Sequence, residues 1–372
     1  MTRRSTSIES PVRAQTQAQK AVFTAIDLFS GAGGATQGLL DAGFEVIGAI
    51  ENNEAAAATY QANHRAVHLW QEDICRIRAT QAMRELRLPA GELSLLKACP
   101  PCQGFSSLAE GRIAPDDPRN ELVYHTIRFV RAFRPKSVII ENVPGLGRNR
   151  RCKEVLSALR KLGYNARQYV VNALYYGVPQ NRKRLIIVAL RGKRSTLPES
   201  LLPRRSRQHT VREAFEALER EVDPDDPLNI PRLLSDRILE RVRAIPSEGN
   251  RHSLPDRLQL ECHKKLTVAG KAGASGSYAR LKWDRPAPTM TTRCTTPACG
   301  PFLHPELNRP ITLREAAAIQ TFPSDYKFVG TRSEIERQIG NAVPVKMAAA
   351  IARTILELIH PPETPSMKGS SK

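Results

Sequence analysis

Two cysteines bracket a pair of prolines in the stretch ACPPCQGFSSL, Ala98 to Leu108, and three chemistries could use that spacing. A zinc clip needs two further Cys or His ligands at short spacing. None follows: the next cysteine is Cys152, and Cys294 and Cys299 have four residues between them. A thioredoxin-like redox pair accommodates proline between its sulfurs, but that small fold would leave most of this chain without a purpose. The third reading is a single nucleophile, Cys102, with prolines stiffening the loop ahead of it and a polar Gln-Gly-Phe-Ser tail able to move behind it. No metal ion is expected.

The elements around these residues follow from periodicity. The apolar run LSLLKA (Leu93 to Ala98) predicts a strand that delivers Cys102 to its carboxyl edge. Upstream, Val22 to Phe29 reads as a strand, followed by a Gly-rich turn at Gly31, Gly33 and Gly34 and a helix with Leu39, Leu40 and Phe44 at helical spacing. A second strand, Glu45 to Ile50, ends on Glu51, an alanine-rich helix follows, and a third strand lies around AVHLW. This alternation predicts a doubly wound parallel sheet, with ligands beyond the carboxyl ends of its strands. Three features belong there: the glycine turn, Glu51 and Asp73. The turn lets a backbone approach a ligand closely, and a carboxylate about 20 residues on can take two ribose hydroxyls. A nicotinamide dinucleotide is disfavoured, because Thr36 stands where the fingerprint needs its third glycine. A plain turn and ordinary helix caps are the competing readings of these residues.

Charge points to a polyanion. The chain carries 56 basic against 37 acidic residues, a net +19, and the excess is concentrated. From Arg119 to Arg207 there are 21 Lys/Arg against 4 Asp/Glu, a local excess of 17. Aromatic residues are only 5% of the sequence, which argues against base stacking as the main binding device. The seven cysteines are scattered and odd in number, as expected of free thiols in a reducing compartment. With no signal-peptide core and no apolar run of 18 residues, a soluble, cytoplasmic, nucleoid-associated protein is expected, without membrane attachment.

PPCQGFS resembles the nucleophile motif of the cytosine-C5 DNA methyltransferases, which makes DLFSGAGG the matching S-adenosylmethionine loop. Further along, IIENVPGL is similar to the family's Glu-Asn-Val motif, and QNRKR to its Gln-x-Arg-x-Arg pattern. RPAPTMTT (Arg285 to Thr292) resembles the motif that organises target recognition, and QIGNAVP (Gln338 to Pro344) the closing motif. Six ordered matches span Ile26 to about Ile351. The resemblance implies a doubly wound mixed α/β sheet of the S-adenosylmethionine-dependent, Rossmann-like kind with a second, smaller target-recognition domain.

It also implies roles. Cys102 is the nucleophile, Glu141 the carboxyl that meets the cytosine ring, and Arg182 or Arg184 the positive charge favouring the thiolate. Phe29, Gly31, Gly33 and Gly34 face the methionine part of S-adenosylmethionine, and Glu51 holds its ribose. Asn52, Asp73 and Ile74 lie about the adenine, and Asn341 with Val343 closes the pocket. Asn52 departs from the bulky apolar residue usual there, and Cys99 from the usual small one, so Cys99 reads as a buried bystander. Gln103, Ser106 and Arg119 are implied DNA contacts.

The βα rhythm stops after Leu190. The expected organisation is a loose tail over 1–21, a catalytic and cofactor domain over 22–190, target recognition over 191–308, a hinge over 309–336, a helix over 337–361 returning to the catalytic domain, and a tail over 362–372. Within the recognition segment, Arg280 and Lys282 are candidate groove contacts. Double-stranded DNA is the expected partner, the protein a monomer, and a cognate restriction endonuclease a possible companion. A tRNA-directed branch of the same family and a catalytically silent DNA-binding member are the rival readings.

Overall fold

The computed structural model describes residues 22–101, 121–192, 195–201, 207–221, 223, 225–262, 264 and 276–361. The expectations for Cys102, Gln103, Ser106 and Arg119 lie outside the described residues.

Five short apolar strands form the parallel part of a seven-stranded sheet: β1 (Thr24–Leu28), β2 (Glu45–Ile50), β3 (His68–Trp70), β4 (Leu95–Ala98) and β5 (Ser137–Asn142). Two longer strands, β6 (Tyr164–Asn172) and β7 (Lys183–Arg191), complete it in the order β3-β2-β1-β4-β5-β7-β6. β7 runs antiparallel to both β5 and β6. The sheet is therefore mixed, as the family resemblance implies, where strand–helix alternation alone points to a parallel one. The cause is local: β6 and β7 are joined by a short connection and form a hairpin-like pair, with no crossover helix to make β7 parallel.

Helices cover both faces because residues on each strand alternate between two apolar layers. On β1, Ile26 and Leu28 enter the layer completed by α4 (Leu122–Phe133) and α5 (Arg150–Lys161), with Phe129, Phe133, Val155 and Leu159 at its centre. Ala25 joins the opposite layer, which includes Leu39 of α1 (Gly34–Asp41) and Met347, Ile351 and Ile355 of the long C-terminal helix Val345–Ile359. That helix lies tight against α1. A Cβ on Gly38 would come 2.6 Å from Ala348 Cβ and 2.7 Å from Val345 O, so this crossing requires glycine. The same alternation puts Asp27, Lys97 and Glu141 on adjacent strands of one face, with Asp27 opposite Lys97 in register.

The remaining helices follow in chain order: α2 (Glu54–Asn63) and α3 (Ala79–Glu85), both before β4, then α6 (Val211–Glu219), α7 (Asp236–Arg243), α8 (Leu313–Ile319) and α9 (Arg332–Asn341), with Val345–Ile359 as α10. Beyond β7 the chain is held by two separate apolar clusters. One gathers Phe215, Met290, Phe302, Ile319, Tyr326 and Ile339, and the other Val242, Leu254, Tyr278 and Leu303. Among the described residues no helix is long and apolar enough to cross a membrane.

Candidate active site

The glycine turn after β1 is built from backbone that side chains resist. Phe29, Gly31 and Gly33 all have positive φ, at 58°, 57° and 88°, and for phenylalanine this is a strained conformation of the sort that collects at functional sites. The turn is sewn to β2, with Ser30 N donating to Ile50 O at 3.0 Å and Gly31 N to Glu51 Oε2 at 2.8 Å. It is backed from far along the chain. Tyr326 donates to Ala32 O and lies 3.0 Å from His64 Nε2, and a Cβ on Gly33 would meet both of these side chains within 2.7 Å. Val343 O stands 3.0 Å from where a Cβ on Gly34 would be, so the closing motif abuts the turn. Tyr326 and His64 escape sequence reasoning because 262 residues separate them and neither belongs to a motif.

Glu51 ends β2 with its carboxylate clasped by two amides, Gly31 N and Asn53 N, each at 2.8 Å. Burial raises its pKa, and the amide hydrogen bonds only partly offset this. Asn52 beside it is exposed. Asp73 follows β3 and accepts from Cys75 N at 2.8 Å, which holds its carboxyl below the usual range, while Ile74 is buried. Asn341 is exposed at the end of α9, and Val343 is buried. Thr36 serves an internal purpose: its hydroxyl donates to Asp27 Oδ2 at 2.8 Å and meets Tyr60 Oη at 3.0 Å. A glycine there would strip a partner from a buried carboxylate.

A second set of groups closes β4 and β5. Glu141 is 5% exposed, and its two oxygens are held from opposite sides. Arg184 Nε lies 2.8 Å from Oε1, and Cys99 Sγ donates to Oε2 at 2.7 Å. Cys99 is thus a ligand of the carboxyl, correcting its reading as a bystander. The segment leading to Cys102 is pinned, with Cys99 N donating to Leu28 O at 3.1 Å and Asn142 Nδ2 to Pro100 O at 3.1 Å.

Two arginines depart from expectation. Arg182 sends Nη1 to Met290 O at 2.9 Å and Nη2 to Gly340 O at 2.9 Å and Ala342 O at 3.2 Å. These contacts make it a clamp joining β7, the 290 segment and α9, and Arg184 is the member of the pair that reaches Glu141. Arg280 is buried, with its guanidinium distributed over Val242 O, Ile245 O, His304 O, Leu307 O and Asn308 Oδ1. An arginine so consumed has no donor left for a base edge, so the groove-contact expectation for Arg280 is corrected to a structural one. Lys282 is exposed and pairs with Glu248 at 2.8 Å.

A left-handed glycine turn with a strand-end carboxylate 20 residues on is the arrangement in which doubly wound sheets hold nucleotide cofactors, and the largely buried Glu141–Arg184 pair lies at the neighbouring strand ends. The family model for C-5 cytosine-specific DNA methylases matches residues 23–357, and the chain belongs to that family. It is 35% identical over 351 residues to the Type II methyltransferase M.PspPI of Psychrobacter sp. (strain TA137), covering 91% of this chain and 80% of that protein. Identity to the Type II methylase M.HgiDII of Herpetosiphon aurantiacus is 34% over 356 residues, covering 91% and 97%. Among solved structures, a prophage-encoded E. coli protein superposes with a TM-score of 0.66 at 25% identity, covering 91% of this chain and 99% of its own. The protein is a DNA cytosine-5 methyltransferase, and its family and fold imply use of S-adenosylmethionine.

Proposed function

We propose that this enzyme methylates C5 of a cytosine swung out of a short duplex DNA target, through a transient bond between Cys102 and C6. The observation that carries the reading is the grip on Glu141, a buried carboxyl fixed by Arg184 and Cys99 at the strand ends from which Cys102 follows. Cytosine C5 is a poor nucleophile. Attack of the Cys102 thiolate on C6 pushes electrons into the ring and makes C5 enamine-like. A proton shared between Glu141 and N3 neutralises that charge, and the exocyclic amine donates to the same carboxyl. Once C5 carries the methyl group, water takes the C5 proton and the C6–S bond breaks, restoring the ring and the thiolate. A base inside a duplex cannot meet these groups, so it must be extruded.

The cofactor supplies the methyl group. The residues fit it: among the described residues beyond its chain neighbours, Gly31 has no atom within 4 Å of a would-be Cβ, and Glu51 keeps lone pairs beyond its two amides. Phe29, Gly31, Gly33 and Gly34 would take the methionine part, Glu51 the ribose, and Asn52, Asp73, Ile74, Asn341 and Val343 the remaining edges. Replacing Glu51 with Ala is expected to weaken S-adenosylmethionine binding by about 10- to 100-fold, the loss of hydrogen bonds to a charged group. Titration calorimetry checks this, and wild-type affinity would remove Glu51 from the site.

Cys99→Ala takes one partner from Glu141 and is expected to lower kcat/KM about ten-fold, while Cys99→Ser, which keeps a donor, recovers most of the rate. Equal rates in all three proteins would make Cys99 irrelevant to Glu141.

The division into a catalytic domain over 22–190, target recognition over 191–308, a hinge over 309–336 and a returning helix over 337–361 belongs to this proposal. So do DNA contacts from Gln103, Ser106, Arg119 and Lys282, a monomeric cytoplasmic enzyme, and a partner endonuclease. Tritiated methyl transfer to duplex DNA and to total tRNA tests the substrate. Incorporation into DNA is expected, and incorporation into tRNA alone would overturn it.

A further inference from the structure

A cleft of about 510 Å³ lies between the 292–296 segment and α9. Its walls carry three arginines, Arg232, Arg293 and Arg337, with hydroxyls from Thr292 and Ser333 and a single carboxylate, Glu336. That carboxylate is committed to the walls. It is 2% exposed, accepts from Thr295 N at 3.1 Å and from the Thr295 hydroxyl, and has Arg232 Nη2 at 3.3 Å from both oxygens. Arg293 and Arg337 are exposed. The polar contact of Arg293 is the Cys299 sulfur at 4.0 Å, and the Glu334 carboxylate near Arg337 is occupied capping α9 through Thr331. Arg332 lies outside the lining and donates through Nη2 to Ile230 O at 2.7 Å, while burial and the charge of Arg232 lower its pKa against the pull of Glu336. Arg232 Nε and Arg332 Nη1 are buried without a hydrogen-bond partner among the described residues.

Buried guanidinium donors left unmatched are costly; Arg232 Nε on the cleft wall is one of them, and with Glu336 already paired to Arg232, Arg293 and Arg337 have no carboxylate within ion-pair distance among the described residues. Guanidinium pairs best with planar or tetrahedral oxyanions. The cleft is far larger than a lone phosphate group and its two exposed arginines face solvent, as suits a phosphate carried on a chain. It is also rigidly tied to the reaction site. Arg182 bonds Met290 O on one wall and Gly340 O on the other, and a Cβ on Gly340 would lie 2.3 Å from Thr291 O, so the walls touch there.

We infer that this cleft seats one backbone phosphodiester of the DNA, bound by Arg293 and Arg337 with the Thr292 and Ser333 hydroxyls, while Arg232 and Glu336 hold its walls. Through the Arg182 clamp, the seated phosphate sets the register of the duplex relative to Glu141 and Arg184. The inference rests on the duplex-DNA reading above.

The test is the salt dependence of duplex binding by the full-length enzyme, measured by fluorescence anisotropy. The double variant Arg293→Ala/Arg337→Ala is expected to bind roughly ten-fold more weakly, with the slope of log K against log salt reduced by about 1. The double lysine variant should regain most of that slope. Thermal midpoint and S-adenosylmethionine affinity should match the wild type, and Arg353→Ala on α10 should leave DNA binding unaltered. An unchanged slope and affinity overturns the inference, and so does a loss shared by Arg353→Ala or accompanied by a lowered midpoint. Inorganic phosphate should displace the duplex no better than chloride at matched ionic strength; selective displacement would assign the cleft to free phosphate and also overturn it. Wild-type enzyme that methylates DNA while the double variant binds normally refutes the cleft alone, whereas wild-type enzyme inactive on DNA refutes the underlying reading.

Discussion

Cys102→Ser is expected to lower methyl transfer by at least about three orders of magnitude while duplex binding survives, because an alcohol at neutral pH is a far weaker nucleophile than a thiolate. The surroundings explain why the change should act on chemistry and leave the fold intact. The chain entering Cys102 is fixed before the sulfur is reached, by Cys99 N on Leu28 O and by Asn142 on Pro100 O, and neither bond involves residue 102. Single-turnover tritium transfer measures the loss, and an anisotropy titration measures binding. A duplex carrying 5-fluorocytosine gives the sharper readout, since fluorine at C5 cannot leave as a proton does and the adduct should persist through denaturation. A trapped conjugate in the wild type and none in Cys102→Ser is the expected pair of results. Methylation by the serine variant at a comparable rate would sink the covalent mechanism.

Asp27→Ala is expected to destabilise the protein by about 3–5 kcal/mol, the usual cost of removing one partner from a buried ion pair. Asp27 and Lys97 lie 2.9 Å apart at the sheet centre, with side chains 0% and 5% exposed. Burial works against the Lys97 ammonium, but Asp27, joined by Cys99 and Glu141, outweighs it and the net pKa shift is upward. Without Asp27 the ammonium keeps its desolvation cost and loses its nearest counter-charge, and Thr36 loses an acceptor. The thermal midpoint should fall by roughly 4–6 °C. The double variant Asp27→Ala/Lys97→Met should recover most of the loss, because an apolar replacement of a buried pair is often neutral. A single variant melting with the wild type would show that the pair contributes nothing.

The two expectations that failed most clearly, the roles of Arg280 and Cys99, share a cause. A sequence shows that an arginine follows a Gly/Ser-rich stretch, but whether its donors face DNA or five internal acceptors depends on how residues 242–245 and 304–308 fold back on it. Cys99 looked inert because its partner, Glu141, is 42 residues away and meets it only across two paired strands. β6 left no clear signal for a related reason. Tyr164 and Ala166 enter one apolar layer, Tyr169 and Val171 the other, and the phase changes at Arg167 and Gln168, so no continuous alternation marks the strand.

By itself the sequence determined what depends on neighbours along the chain. The first four parallel strands, the glycine turn and the strand-end position of Glu51 are set by short-range periodicity and steric permission. Tertiary structure alone decided what depends on meetings between distant segments: the antiparallel β6–β7 edge, Tyr326 behind the glycine turn, the Arg182 clamp, the thiol on Glu141 and the arginine cleft beside α9. Apolar burial is nondirectional and can be read from pattern, whereas a buried polar group is satisfied only by a partner at one distance and angle, and the fold supplies that partner.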